Sequence, residues 1–74
     1  MFEFEKFIEE LKTGFVFEFE YMNKQHKISS FDTETYTVIV YTKDNYSTRE
    51  ERKIVKEDVL KEMFNDMENI TYVY

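Results

Sequence analysis

The chain has 74 residues, among them eight Phe and six Tyr, and its formal net charge is −6. A chain this short supports one hydrophobic core, so we expect a single domain over residues 1–74 and exclude two. It has no cysteine, which excludes disulfides and thiolate metal sites. Its acidity argues against direct binding to nucleic acid.

No apolar run approaches the roughly 20 residues that a membrane span requires, and residues 1–14 are charged too often for a signal peptide. We therefore expect a cytoplasmic protein without a membrane partner. The charge is uneven: residues 1–22 carry −4, residues 23–56 carry +2 and residues 57–74 carry −4. The excess negative charge thus lies toward the two ends of the chain.

The first apolar residues follow a helical period and predict a helix over about residues 3–13. The apolar stripe consists of Phe4, Phe7, Ile8 and Leu11. Gly14, the only glycine, stands where a residue with left-handed backbone would end this helix.

After Gly14 the apolar period changes to two, which predicts a half-buried strand with an acidic outer face. In this strand Phe15, Phe17, Phe19 and Tyr21 alternate with Val16, Glu18 and Glu20. A hairpin connection at Asn23-Lys24 leads into a more polar strand at residues 25–31. That polarity predicts an edge strand or a curved one.

A turn at residues 32–34 precedes a third segment, residues 36–41, which is apolar on both faces as in a central strand. A turn at residues 44–45 then leads to residues 47–55. This last segment fits either a fourth strand or a flexible loop, because its charges interrupt the strand pattern.

Helical spacing returns from Val55 and predicts a second helix over about residues 56–67 that ends near Asn69. The final Ile70, Tyr72 and Tyr74 alternate and predict a short closing strand. The predicted fold class is α+β: an antiparallel sheet of three to four strands with an N-terminal and a C-terminal helix packed on one face, in the order α-β-β-β-(β)-α-β.

The sequence contains no recognisable catalytic constellation. None of its 16 acidic residues falls on a predicted buried face, where acid–base carboxyls are usually found. His26, the only histidine, has no nucleophile or metal-ligand partner at a characteristic spacing, so a surface or strand-packing role is expected. We predict a non-enzymatic protein without cofactor or metal that binds another macromolecule. An enzyme would need a partner chain to complete its site.

The acidic residues form the first candidate interaction surface. Glu18 and Glu20 stand about 6.6–6.8 Å apart on one strand face, close to the spacing of successive phosphates in a nucleic-acid strand. The predicted second helix adds Glu57, Asp58, Glu62, Asp66 and Glu68. Such an array could mimic DNA and occupy the basic channel of a DNA-binding protein. Alternatively, these charges only keep the protein soluble.

A second candidate surface lies on the predicted central strand. Successive residues of a strand face opposite sides, so this segment leaves apolar side chains on the sheet face that the helices do not cover. These side chains could bury in a homodimer or in a protein partner, or the closing strand could cover them through Tyr72 and Tyr74. The predicted surface consists of Tyr36, Ile39 and Tyr41.

The order of elements and the segment Met-Phe-Asn-Asp-Met-Glu-Asn-Ile-Thr at residues 63–71 resemble a family of small acidic phage anti-CRISPR proteins that block type II Cas nucleases. The resemblance implies a helix, a three-stranded antiparallel sheet and C-terminal helices. It also implies a mimic of the PAM-containing DNA duplex, which occupies the arginines with which the guide-loaded nuclease reads the PAM. Glu57 and Asp58 stand near the family's acidic cluster, while Val59 and Leu60 replace acids of that cluster.

Three hypotheses follow. The leading one is a phage or mobile-element inhibitor, placed in the host cytoplasm, that occupies the nucleic-acid site of a defence or DNA-processing enzyme. An immunity or regulatory protein would instead bind a protein partner by shape and aromatic contacts. The third hypothesis is a dimeric phage structural protein. The sequence leaves both a monomer and a homodimer open.

Overall fold

The computed structural model describes residues 3–30, 34–43 and 47–73. These residues form an α+β fold, which confirms the predicted class. The elements are α1 (Phe4–Lys12), β1 (Phe17–Tyr21), β2 (Lys24–Ser30), β3 (Thr35–Lys43), β4 (Thr48–Lys56), α2 (Glu57–Phe64) and β5 (Glu68–Tyr72). The predicted turn at 44–45, residues 32 and 33 of the other predicted turn, and Tyr74 lie outside the described residues. Residues 47–55, for which a strand and a loop both remained open, form most of β4.

The strands make one five-stranded antiparallel sheet in the order β4-β3-β2-β1-β5. β2 is therefore the middle strand, so the edge strand, one of the two predicted alternatives, was wrong. Its buried residues, His26 and Ile28, alternate with half-buried and exposed polar ones. When one face of an antiparallel sheet meets water, an inner strand needs apolar side chains on its other face alone. The polarity of β2 therefore did not indicate an edge.

Both helices contribute to one hydrophobic core on one face of the sheet. The buried members of this core are Phe7, Ile8, Leu11, Phe17, Phe19, Ile28, Tyr36, Val38 and Leu60. Phe7 of α1 packs at 4.9 Å from Phe17 and at 5.2 Å from Phe64, measured between ring centroids. The opposite side of the sheet is called the open face below. One row across it consists of Glu18, Lys27, Ile39 and Arg52, which are aligned on four neighbouring strands.

Helix α1 ends at Lys12, and Gly14 terminates it with left-handed backbone, as the sequence predicts. Gly14 has a φ of 108°, and its N–H donates to the carbonyl oxygen of Leu11 at 3.1 Å. The N–H of Phe15 donates to the carbonyl oxygen of Glu10, also at 3.1 Å. These two bonds form a Schellman motif, which satisfies carbonyl groups that the helix end leaves free.

Replacing Gly14 by alanine should destabilise the protein through backbone conformation alone. A Cβ added at Gly14 would meet nothing within 4 Å, so no clash contributes. The positive φ should cost about 1–2 kcal/mol of unfolding free energy for a residue with a Cβ. Urea titration of Gly14→Ala measures this cost, with Glu9→Ala on the exposed side of α1 as control. Equal midpoints for both variants would show that the end of α1 rearranges to accept alanine.

Two connections differ from their predicted positions. The β1–β2 hairpin turns at Met22 and Asn23, one residue earlier than predicted, with φ values of 51° and 63°. A two-residue loop with two positive φ values has a backbone twist that matches the twist of the flanking strands. Helix α2 ends at Phe64, earlier than predicted, with Asn65 as its C-cap. The chain leaves the helix there because the following residues pair with β1.

Strand β5 pairs with β1 and contains a bulge. Phe17 is opposite Tyr72 and Glu18 opposite Thr71, but Glu20 is opposite Glu68, so the register shifts by one residue between these pairs. Asn69, predicted as a helix cap, lies at this shift with a φ of 53°. An extra residue with left-handed backbone is the usual form of such a bulge.

Phe15 was predicted in the first strand with the inward residues. It precedes β1, is 41% exposed, and packs edge-on against the ring of Tyr72.

Candidate functional site

Three carboxylates meet at one edge of the open face. Glu20 of β1 is directly opposite Glu68 of β5, and both line a surface depression together with Asp66 from the α2–β5 turn. Residues 21–23 of the β1–β2 hairpin complete its wall. We call Glu20, Asp66 and Glu68 the acidic patch. None of the three belongs to an ion pair among the described residues.

The bulge in β5 brings Glu68 into the acidic patch. Tyr72 is aligned with the core residue Phe17, so strict alternation would turn Glu68, four residues away, toward the helices as well. The extra residue at the bulge reverses the alternation and puts Glu68 opposite Glu20. The sequence offers one signal for this in Asn69, because asparagine tolerates left-handed backbone more readily than most residues.

The depression has a volume of about 100 Å³. Small-molecule sites usually measure roughly 300–1,000 Å³, so it fits part of a larger contact better than a buried ligand. In the described ranges, no group of three or more His, Cys, Asp or Glu side chains is placed to hold a metal ion. A second open depression, of about 370 Å³, is lined by Asn23, Lys24, Gln25, Tyr41 and Thr42.

The other predicted acidic residues do not join the acidic patch. Glu57 and Asp58 begin α2 and lie about 12 Å from its far end, given the rise of an eight-residue helix. Glu57 accepts a hydrogen bond from the Tyr36 hydroxyl at 3.3 Å and forms an ion pair with Lys12 at 3.9 Å. Asp58 accepts a hydrogen bond from the N–H of Val59 at 2.9 Å. Glu57 therefore links α2 to β3 and to the end of α1.

Glu18 and Glu62 occupy intermediate positions. Glu18 is half-buried on the open face, with Lys27 directly opposite, and Glu62 is exposed on α2. Asp66 and Glu68 were predicted on the second helix, but both follow its end. The seven predicted acidic residues thus divide between the acidic patch, the middle of the open face, and α2.

The predicted aromatic surface also divides. Tyr36 is 1% exposed and belongs to the core, so it does not lie on an interaction surface as predicted. Ile39 and Tyr41 are half-buried on the open face, as the alternation predicts. Tyr72 does not cover them, because its ring packs at 4.7 Å from that of Phe17 on the side of the core, and Tyr74 lies outside the described residues.

Charge changes across the open face from one edge to the other. The edge formed by β1 and β5 carries the acidic patch, whereas β4 presents two basic residues, Arg52 and Lys56, and one acidic residue, Glu50, on this face. Its other charged residues, Arg49, Glu51 and Lys53, lie on the side of the core. The negative potential of the open face is therefore concentrated at the β1–β5 edge.

His26 is buried in the sheet rather than exposed. Its ring stacks on Phe19 with 5.2 Å between centroids and an interplanar angle of 17°. Its Nδ1–H donates to the carbonyl oxygen of Lys24 at 2.9 Å. Burial lowers the pKa of His26, an effect that the hydrogen bond to Lys24 opposes and nearby Lys53 and Lys24 reinforce. This arrangement matches the predicted strand-packing role.

The lowered pKa of His26 should make the fold sensitive to mild acid. Because the folded state favours the neutral ring, His26 contributes stability above its unfolded pKa of 6.5, and this is lost as pH falls through the folded pKa. We expect the unfolding free energy from urea titrations to fall as the pH is lowered from about 7.5 to about 5.5. The contribution of His26 to this slope is at most about 1.4 kcal/mol per pH unit. His26→Phe keeps the stacking and should flatten this dependence. Equal slopes for the two proteins would contradict the assignment.

The fold defines an α+β protein whose five-stranded antiparallel sheet carries its helices on one face. No protein-family model, curated protein or solved structure matches this chain. In the part of the chain that the structure describes, no helix is long and apolar enough to span a membrane.

Proposed function

We propose that this chain is an inhibitor, of phage or mobile-element origin, that binds the nucleic-acid site of a defence or DNA-processing enzyme through the acidic patch and Glu18. The observation that supports this most is the direct alignment of Glu20 and Glu68 on neighbouring strands, with Asp66 beside them. Three acidic side chains on one rigid edge resemble a short run of phosphates.

The energetics of the Glu20–Glu68 pair favour a functional role. Like charges directly opposite in an antiparallel sheet destabilise the fold, by a few tenths to about 1 kcal/mol. A basic channel in a partner would offset this repulsion and use the same steering that draws DNA into it. Acidic residues that only confer solubility would not need to be paired at this position.

The resemblance of residues 63–71 to the anti-CRISPR family suggests the first partner to test. A guide-loaded type II Cas nuclease presents arginines that read the PAM, and the acidic patch would occupy them. Asp66 and Glu68 both belong to the resembling segment and to the acidic patch. Binding should then compete with PAM-containing duplex DNA.

Glu68→Lys should weaken partner binding and stabilise the fold at once. It should raise the dissociation constant about 10-fold or more, because the new charge opposes a basic site. It should also raise the unfolding free energy by up to about 1 kcal/mol, because it places Lys opposite Glu20. Titration calorimetry with the guide-loaded nuclease and urea denaturation measure the two effects. Glu9→Lys, which makes the same change in net charge on α1, should leave binding nearly unchanged.

Capture from nuclease-treated bacterial lysate extends the test to other partners. Wild-type protein and Glu68→Lys are immobilised in parallel, and nucleic-acid-binding proteins retained only by the wild type support the proposal. Their binding should weaken steeply as salt rises, because steering and phosphate mimicry depend on charge. Partners that bind both proteins equally and independently of salt would refute it.

The second candidate is an immunity or regulatory protein that binds by shape. It is favoured by the position of the half-buried Ile39 and Tyr41 on the open face, where Tyr41 is aligned with Glu20 through Gln25. Under this hypothesis Tyr41→Ala weakens binding more than Glu68→Lys does, and salt has little effect.

A further inference from the structure

β4 is the long edge strand of the sheet, and little packs against it. It pairs with β3 over nine residues without a register shift. The side chains of residues 48–54 are all exposed, although they point alternately to the two sides of the sheet. Only Val55 of β4 packs against the core, and a strand with so little packing and a single ladder is only marginally stable. A second ladder on its free edge would therefore stabilise β4 substantially.

The two edges of the sheet differ in how well they are protected from strand pairing. β5 has five residues and carries the bulge at Asn69, and short, bulged edges disfavour pairing with another chain. β4 has nine residues, with no proline, glycine or register shift. The backbone of β4 can thus accept another strand, and its six charged side chains restrict pairing to a strand of complementary charge.

The charges of β4 are complementary to themselves when two copies of the strand pair over its full length. When two copies pair antiparallel around a two-fold axis at Arg52, all nine residues of each strand find a partner. Glu51 of each copy then lies opposite Lys53 of the other, which gives two pairs of opposite charge. Arg52 meets its own counterpart at the axis, with Glu50 of both strands on the same face two residues away. Moving the axis to Glu51 or Lys53 exchanges these pairs for Glu50–Arg52 or Glu50–Lys56 pairs, but only seven residues of each strand then find a partner.

We propose that β4 pairs with β4 of a second copy of this chain and forms a two-fold dimer with one continuous ten-stranded sheet. The proposal is independent of the proposed function, because the acidic patch lies at the opposite edge of the sheet. Backbone hydrogen bonds provide the association, and the nine-residue overlap together with the two Glu51–Lys53 pairs selects the register. Such a dimer would present two acidic patches, one at each end of its sheet.

Charge swaps at Glu51 and Lys53 test this dimer. Both side chains are exposed, so substitutions there should leave the fold intact, as circular dichroism will show. Sedimentation equilibrium of the full chain over a concentration series should show a monomer–dimer equilibrium. Glu51→Lys and Lys53→Glu should each raise the dimer dissociation constant about 10-fold or more, because each replaces two attractive pairs by two repulsive ones. The double variant should return it to within about 3-fold of the wild type.

Each of the other outcomes would overturn the proposal. A wild-type protein that stays monomeric throughout the series would show that β4 is a solvated edge. A dimer that tolerates both single variants would use another surface, such as Ile39 and Tyr41. A double variant that fails to restore association would exclude the register through Arg52.

Discussion

Replacing Phe7 by alanine should remove most of the stability of this protein. Phe7 is fully buried and packs against Phe17 and Phe64. Truncating a buried phenylalanine costs about 3–5 kcal/mol, since the side chain loses its burial and leaves a cavity. A domain of this size has a total unfolding free energy of about 4–11 kcal/mol. Urea denaturation followed by circular dichroism should place the midpoint of Phe7→Ala far below that of the wild type.

Phe15→Ala is the matched control for Phe7→Ala. The same atoms are removed, but Phe15 is 41% exposed and its main ring contact is with the half-exposed Tyr72. We expect a loss of about 1 kcal/mol. Similar losses at both positions would mean that the core is not organised around the contact of α1 with β1.

The second large effect is an expected difference in unfolding free energy between alanine variants of two tyrosines of β3. Tyr36 is 1% exposed and donates its hydroxyl proton to Glu57, whereas Tyr41 is half-buried on the open face. Tyr36→Ala should cost about 3–5 kcal/mol of unfolding free energy, and Tyr41→Ala about 1 kcal/mol or less. Both variants truncate a tyrosine of the same strand, but on opposite faces of the sheet, and only Tyr36→Ala also removes the hydrogen bond to Glu57.

Tyr36→Phe divides the effect at Tyr36 into its parts. It keeps the buried ring and removes the hydrogen bond to Glu57, so it should cost about 0.5–1.5 kcal/mol. Thermal and urea unfolding of all three variants measure these differences. If Tyr41→Ala proves as costly as Tyr36→Ala, the open face is covered in solution, and the Ile39–Tyr41 surface becomes the first place to look for a contact.

The periodicity of the apolar residues predicted the helices and strands of this fold well. Apolar residues that recur at a helical period share one face only in a helix, and those that alternate share one face only in a strand. The stripe of α1 and the alternation of Phe17 with Phe19 are examples. Strand order was not predictable in this way. The polarity of β2 suggested an edge, but it arises from the open face that the strand shares with its neighbours. Which face a sheet leaves open is a property of the whole fold.

The acidic patch was only partly predictable for the same reason. Glu20, Asp66 and Glu68 were recognised as candidates by charge, but their grouping depends on the pairing of β1 with β5. Helical periodicity extends beyond Phe64 to Met67, which placed Asp66 and Glu68 on the second helix. Tyr36 was misassigned because β3 has apolar residues on both faces, so alternation could not tell which face is buried.

The bulge at Asn69 makes the surface charge at this edge depend on strand register as well as on residue type. The one extra residue lets Glu68 lie on the open face while Tyr72 stays aligned with Phe17. If β5 paired with β1 at its present length without the bulge, strict alternation would turn Glu68 toward the helices. Deletion of Asn69 would instead place Glu68 directly before Ile70, where strict alternation keeps it opposite Glu20. The Glu20–Glu68 pair should therefore survive loss of the bulged residue itself.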